Sequence, residues 1–163
     1  MVNSTLVDVI WHQRDLINVS ANILESQIPE HLPVFFHGVL LYSDPINRHL
    51  GVIRVDDKRD FRKLQKEIQD FYQKNFASWQ VELSEIAPQI YYVAKIGDNY
   101  YRCQVCNTKE KAGQFFVLVL LVDFGMFKKV LAQNLFNLNE EFVVGEWETA
   151  RALCCTLPGT FLF

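Results

Sequence analysis

From Pro88 onward the chain is a succession of short β-prone runs separated by tight turns, and this spacing limits its fold more than any other feature. Residues 90–96 read as a first strand, and Gly97-Asp98-Asn99 as a tight turn. Residues 100–108 read as a second strand and 109–113 as a polar loop. Residues 114–122, continuous in Phe, Val and Leu, read as a long buried strand. Asp123-Phe124-Gly125 is a turn, followed by a short strand at 128–131, one helical turn at 134–138 and a last strand at 150–157 before Pro158-Gly159. Strands this short, with turns this close, fit a small and strongly bent barrel.

The upstream half has a different grammar. Residues 34–42 are apolar and β-prone, residues 43–47 carry turn chemistry, and 49–55 read as the return strand of a hairpin. Asp56 or Asp57 is placed to cap the next helix, whose apolar stripe is Phe61, Leu64, Ile68, Phe71 and Tyr72. Steps of three and four put these on one helical face. The opposite face is basic, with Lys58, Arg59, Arg62, Lys63, Lys66 and Lys74 against Asp60, Glu67 and Asp70. A solvated face explains that charge; a nucleic-acid contact through Arg59, Arg62, Lys63 and Lys66 is the sharper alternative. Residues 5–25 show looser helical periodicity, ended by Pro29 and Pro33.

The net charge of −3 on 163 residues argues against broad, sequence-blind nucleic-acid binding, which needs a basic surface. The longest apolar run, 115–122, is far short of the roughly 20 residues that span a bilayer. Asp8, Arg14 and Asp15 interrupt any signal-like apolar stretch, so the chain reads as soluble and intracellular, without a membrane partner. Cys103 and Cys106 form a C-x-x-C, but on a strand they point to opposite faces, and His12, His31, His37 and His49 lie upstream without ligand spacing. Cys154 and Cys155 read as packing residues. No metal or cofactor is expected. A Gly-rich phosphate loop and a nucleophile–base constellation are both missing, so the chain does not read as an enzyme. Asp123 reads as a turn residue bonding the backbone.

The residues Tyr92-Val93-Ala94-Lys95-Ile96, Asp98, Tyr100-Tyr101-Arg102, Leu120-Leu121-Val122-Asp123-Phe124-Gly125, Leu135 and Leu138 resemble a Tudor domain, and Phe142, Ala150, Cys154 and Leu157-Pro158-Gly159 resemble its exit segment. The hairpin and helix upstream resemble the extended form of that family, in which a long helix joins the barrel to a staphylococcal-nuclease-like, OB-type lobe. The implied fold is α+β but mostly β: a small bent five-stranded Tudor barrel, a long helix and a partial nuclease-like lobe. The implied segments are 1–31, a helical N-terminal extension; 32–88, the hairpin and linker helix; and 89–163, the barrel and exit segment. The strands that normally complete the lobe after the barrel are not evident, so either they lie outside this sequence or residues 1–31 substitute for them.

Extended Tudor domains bind peptides containing dimethylated arginine, often in the Arg/Gly-rich tails of Piwi-class Argonautes. An aromatic cage stacks on the planar, poorly hydrated guanidinium. By this resemblance Tyr101 and Phe124 match two cage rings, whereas Ile96, Leu121 and Met126 stand where two further rings and an Asn are usual; Phe127 is a candidate substitute. Leu, Ile and Met offer neither a π face nor a strong acceptor. The expected function is therefore a peptide-binding adaptor of the piRNA pathway that takes an Arg-containing segment of a Piwi-class Argonaute with little dependence on methylation. Glu82 and Glu85 would attract the basic peptide at the rim. A cytoplasmic setting, perinuclear germ granules (nuage) included, goes with that resemblance. Two alternatives stand beside it: a single-stranded RNA-binding module using the OB-like lobe and basic helix, and a self-association scaffold pairing through an unfilled sheet edge.

Overall fold

The computed structural model describes residues 25–26, 38–44, 46, 49–144, 147, 149–150 and 152–156. The helical reading of residues 5–25 falls outside them except at Glu25, which lies in a strand. In chain order the elements are β1 (Glu25–Ser26), β2 (Gly38–Asp44), β3 (His49–Arg54), α1 (Lys58–Trp79), β4 (Tyr91–Ile96), β5 (Asn99–Lys111), β6 (Gln114–Leu121), β7 (Met126–Leu131), β8 (Leu135–Asn137), β9 (Thr149–Ala150) and β10 (Leu153–Thr156). Among the described residues no helix is long and apolar enough to cross a membrane.

The second half forms a five-stranded antiparallel sheet in the order β7-β6-β5-β4-β8, bent around its own core. Alternation decides what that core contains. On β6, Val117, Val119 and Leu121 point inward and are buried, while Phe115 and Leu118 remain 43% and 40% exposed. The run that reads as continuously buried is thus buried on one face only. β5 is longer than the sequence suggests. Ala112 and Gly113 both adopt positive φ (53° and 74°), a two-residue hairpin turn that lets Lys109–Lys111 stay paired where a polar loop is expected. Alternation leaves Cys103 buried and Cys106 exposed, and a bulge between Val105 and Asn107 then shifts the register. Residues 134–138 are not a helical turn. A 3-10 turn comes first, at Ala132–Asn134, and Leu135–Asn137 then pairs with Ala94, Val93 and Tyr92 of β4. Leu135 enters the barrel core and Phe136 the opposite core, an alternation that only a strand delivers.

The helix lies against the outer wall of the barrel. Leu64, Ile68 and Tyr72 are buried there with Val93, Tyr100, Phe136, Phe142 and Trp147. Asp57 precedes the first turn, but its carboxylate makes no cap bond; its carbonyl accepts from the Phe61 amide at 2.9 Å. Polar contacts fix the helix in register. Gln69 donates to the Asp98 carbonyl (2.8 Å) and accepts from the Tyr100 amide (2.9 Å), clamping the β4–β5 turn. The Tyr72 hydroxyl donates to the Asn137 carbonyl (2.6 Å) and accepts from the Asn139 amide (3.0 Å). Burial pushes its pKa above the ordinary phenol range. Tyr72→Phe keeps the ring but strands both backbone groups, each a cost of about 1–3 kcal/mol. A loss of about 2–4 kcal/mol in urea unfolding is expected, and a loss under about 0.5 kcal/mol would show that water replaces the hydroxyl.

The hairpin β2–β3 does not stand alone. β10 pairs antiparallel with β3, giving a three-stranded sheet in the order β10-β3-β2. The lobe therefore gains a strand from beyond the barrel, which corrects the expectation that such strands are missing. The exit segment supplies it, so the chain of the lobe does not end at residue 88. β1 pairs in parallel with β9 and does not join the lobe sheet.

Candidate functional site

Two elements bring the candidate rings together. Tyr101 stands on β5 opposite Ala94. Phe124 sits in the turn between β6 and β7, where the Phe124 and Gly125 amides both donate to the Leu121 carbonyl (3.1 and 2.8 Å) and Gly125 takes φ 66°. The Tyr101 and Phe124 rings meet edge to face, centroids 5.3 Å apart. A third ring, which sequence reasoning placed only in the helix stripe, joins from α1: Phe61 lies 5.1 Å from Phe124, also edge to face. Phe124 is therefore held between one ring of the barrel and one of the helix. The signal available in the sequence was the apolar period, which cannot distinguish a core Phe from one that reaches the site.

The remaining expected residues divide. Ile96 and Met126 are half-buried against the barrel core. Leu121 is only 3% exposed and points into the barrel, so it does not line a surface slot; strand alternation sends it inward with Val117 and Val119. Phe127 is exposed and faces His49 of the lobe, centroids 5.7 Å apart. Glu82 lies elsewhere, lining a cleft of about 550 Å³ with Gln114, Phe115 and Ala132, at the end of β6 away from Leu121. Glu85 is exposed in a 3-10 turn, its carbonyl accepting from the Tyr92 hydroxyl. Arg59, Arg62, Lys63 and Lys66 are exposed on the helix face opposite Leu64, Ile68 and Tyr72, away from Phe61. Lys63 rests over the Trp147 ring, 5.2 Å from its centroid.

Behind the rings sits a buried ion pair. Arg102 and Asp123, the neighbours of Tyr101 and Phe124, are both buried, at 0% and 1% exposure. The guanidinium meets the carboxylate two-handed, Nε to Oδ2 at 2.8 Å and Nη2 to Oδ1 at 2.6 Å. Nη1 donates to the carbonyls of Phe142 and Trp147, both at 2.7 Å. Asp123 is thus more than a turn residue; it is the partner of Arg102, and the pair fixes the Phe124 turn to β5 and to the exit segment. From the other side Gly51 of β3 abuts the backbone of Phe124: a Cβ there would overlap the Phe124 carbonyl oxygen and lie 2.8 Å from its carbon. Lobe, helix and barrel all converge on this one turn.

The Tudor domain family profile matches residues 40–157. The chain belongs to the Tudor family. No curated protein matches it by sequence. Among solved structures, this Tudor domain is similar to the extended Tudor domain from BmPAPI, with a TM-score of 0.64, 16% identity, and coverage of 75% of this chain and 66% of that one. It is similar to the human TDRD1 extended Tudor domain in complex with a symmetrically dimethylated peptide, with a TM-score of 0.63, 15% identity, and coverage of 84% and 65%. The Drosophila melanogaster Papi extended Tudor domain matches with a TM-score of 0.64 at 12% identity, covering 74% and 60%. A variant of it has been solved with unmethylated and methylated Piwi N-terminal peptides. At such identities the likeness is one of fold, and the fold is that of an extended Tudor domain. The chain spans between 57% and 66% of the length of these structures.

Proposed function

We propose that this Tudor domain is a non-enzymatic peptide-binding adaptor that accepts an arginine side chain at Phe61, Tyr101 and Phe124, with little discrimination for methylation. The observation that carries the reading is Phe124 held between Tyr101 and Phe61 on a turn fixed from three sides. A guanidinium needs flat π faces in fixed positions, and each good face contributes about 0.5–2 kcal/mol. Methyl selectivity needs more: a box that closes on the methyl groups and an acceptor for the remaining N–H. Ile96 and Met126 offer neither, and Leu121 is inside the barrel. The complexes of the Papi variant with both forms of a Piwi peptide support arginine segments as the ligand class for this fold. An Argonaute of the Piwi class, met in cytoplasmic germ granules, is the partner this reading assigns.

Calorimetry with three otherwise identical peptides tests it, carrying arginine, symmetrically dimethylated arginine or glutamine. Both arginine forms are expected to bind within tenfold of each other, a difference under about 1.4 kcal/mol, and the glutamine form more weakly. Phe61→Leu should weaken both arginine forms while leaving the fold intact by circular dichroism. Dissociation constants above the millimolar range for all three peptides would end the adaptor reading. A methylated peptide bound more than tenfold tighter would end the claim of indifference.

A further inference from the structure

A second recess opens between the end of β4 and the edge strand β7, which are not paired with each other. It encloses about 290 Å³ and is lined by Lys95, Ile96, Gly97, Phe116, Lys129 and Asn134, with Val130 and Leu131 at its base. Each lysine is laid on an aromatic ring: Lys129 Nζ is 4.0 Å from the Phe116 centroid, and Lys95 Nζ is 5.6 Å from that of Tyr100. No Asp or Glu lines the recess, and among the described residues neither lysine is ion-paired. On a chain of net charge −3, two lysines lining one recess without a carboxylate form a local inversion of charge. Two cations lining one recess repel, and an anion bound between them relieves that repulsion. Asn134 adds an amide donor, and Gly97 leaves its rim open, with nothing within 4 Å of where a Cβ would stand.

We propose that the Lys95–Lys129 recess is an oxyanion subsite, which takes a carboxylate or phosphate monoester carried by the same peptide whose arginine occupies the ring site. The link to the ring site is Ile96, which borders the recess and, like Tyr101 and Phe124, packs against the barrel core. Lysine suits this task, being a point charge that takes an oxyanion without demanding a fixed plane. The inference rests on the peptide-binding reading for its ligand, but the recess itself can be probed alone.

Fluorescence anisotropy with four arginine peptides provides the test. They differ at one position flanking the arginine, which is Gln, Glu, Ser or phosphoserine. Glu should bind tighter than Gln, and phosphoserine tighter than Ser, each by roughly three- to tenfold at low salt; the two arms separate a carboxylate from a phosphate source. The gain should vanish in Lys95→Ala/Lys129→Ala and persist in Lys128→Ala, which removes a neighbouring charge outside the recess. Equal affinities across the four peptides, or equal loss in the Lys128 variant, would overturn the subsite. If no peptide binds, the ring-site reading fails by itself. Inorganic phosphate then decides: saturable amide shifts at Gly97 and Asn134 that disappear in the double variant sustain the recess as an anion site, and their absence overturns it. Displacement of bound phosphate by single-stranded RNA but not by phosphopeptide would overturn the peptide assignment.

Discussion

Asp123→Ala is expected to destabilise the domain by about 3–5 kcal/mol, the penalty for leaving a buried charge without its counter-ion. Arg102 has no exposure, so its guanidinium would keep the carbonyls of Phe142 and Trp147 while losing the carboxylate that balances its charge. Urea unfolding reads the effect as a fall in midpoint with an unchanged slope. The double variant Arg102→Met/Asp123→Leu should recover part of the loss, because it removes the orphaned charge as well as the bond. It should not recover all of it, because the two carbonyls lose their donor. A single variant within about 1 kcal/mol of the parent would mean that water reaches the guanidinium and that the pair is not the anchor described above.

Gly51→Ala should be the most damaging change of a single methyl group in the lobe. The added carbon would overlap the Phe124 carbonyl oxygen and lie 2.8 Å from its carbon and 3.4 Å from the Gly125 Cα. All three are backbone atoms, so no side chain can rotate away. Either β3 or the Phe124 turn must retreat. Overpacking costs of about 1–3 kcal/mol are expected, together with faster hydrogen exchange across residues 121–126 and weaker arginine-peptide binding as Phe124 leaves its place against Phe61. Gly97→Ala provides the contrast. Its Cβ meets nothing within 4 Å, so its cost comes from φ +61° alone and should be about 1 kcal/mol, without altered exchange at 121–126. Equal exchange at that turn in both variants would show that lobe and barrel are not in contact there.

The parts of this fold that could be read from sequence are those written in local chemistry. The stripe Leu64-Ile68-Tyr72 repeats with the helical period and is buried as that period requires. Gly97-Asp98 and Phe124-Gly125 mark turns with positive-φ glycines, so the strand order of the barrel follows. What was not legible depends on partners far along the chain. Nothing local ties Arg102 to Asp123; their pairing is a consequence of how β5 and β6 register. Phe61 reaches Phe124 only because the helix lies against that side of the barrel. Leu121 occupies a position where the family resemblance expects a ring, yet alternation turns it into the core. Residues 109–113 look like a loop from composition, but the left-handed pair Ala112-Gly113 concentrates the whole reversal in two residues. Leu153–Thr156 reads as one more barrel-region strand, and its true neighbour, β3, precedes the barrel entirely.

That last pairing has a consequence for how the chain is made. β3 ends at Arg54 and its partner β10 begins at Leu153, with the barrel in between. At the pace of translation the interval is roughly 5–20 s. Throughout it the hairpin waits with one flank unzipped, while Val52 and Ile53, destined to be 2% and 1% exposed, lack their final cover. The barrel can mature first, its contacts being close in sequence, and the lobe must close last. A nascent chain stalled between those points would present a sticky ribbon to holdase chaperones, and emergence of β10 would end that vulnerability.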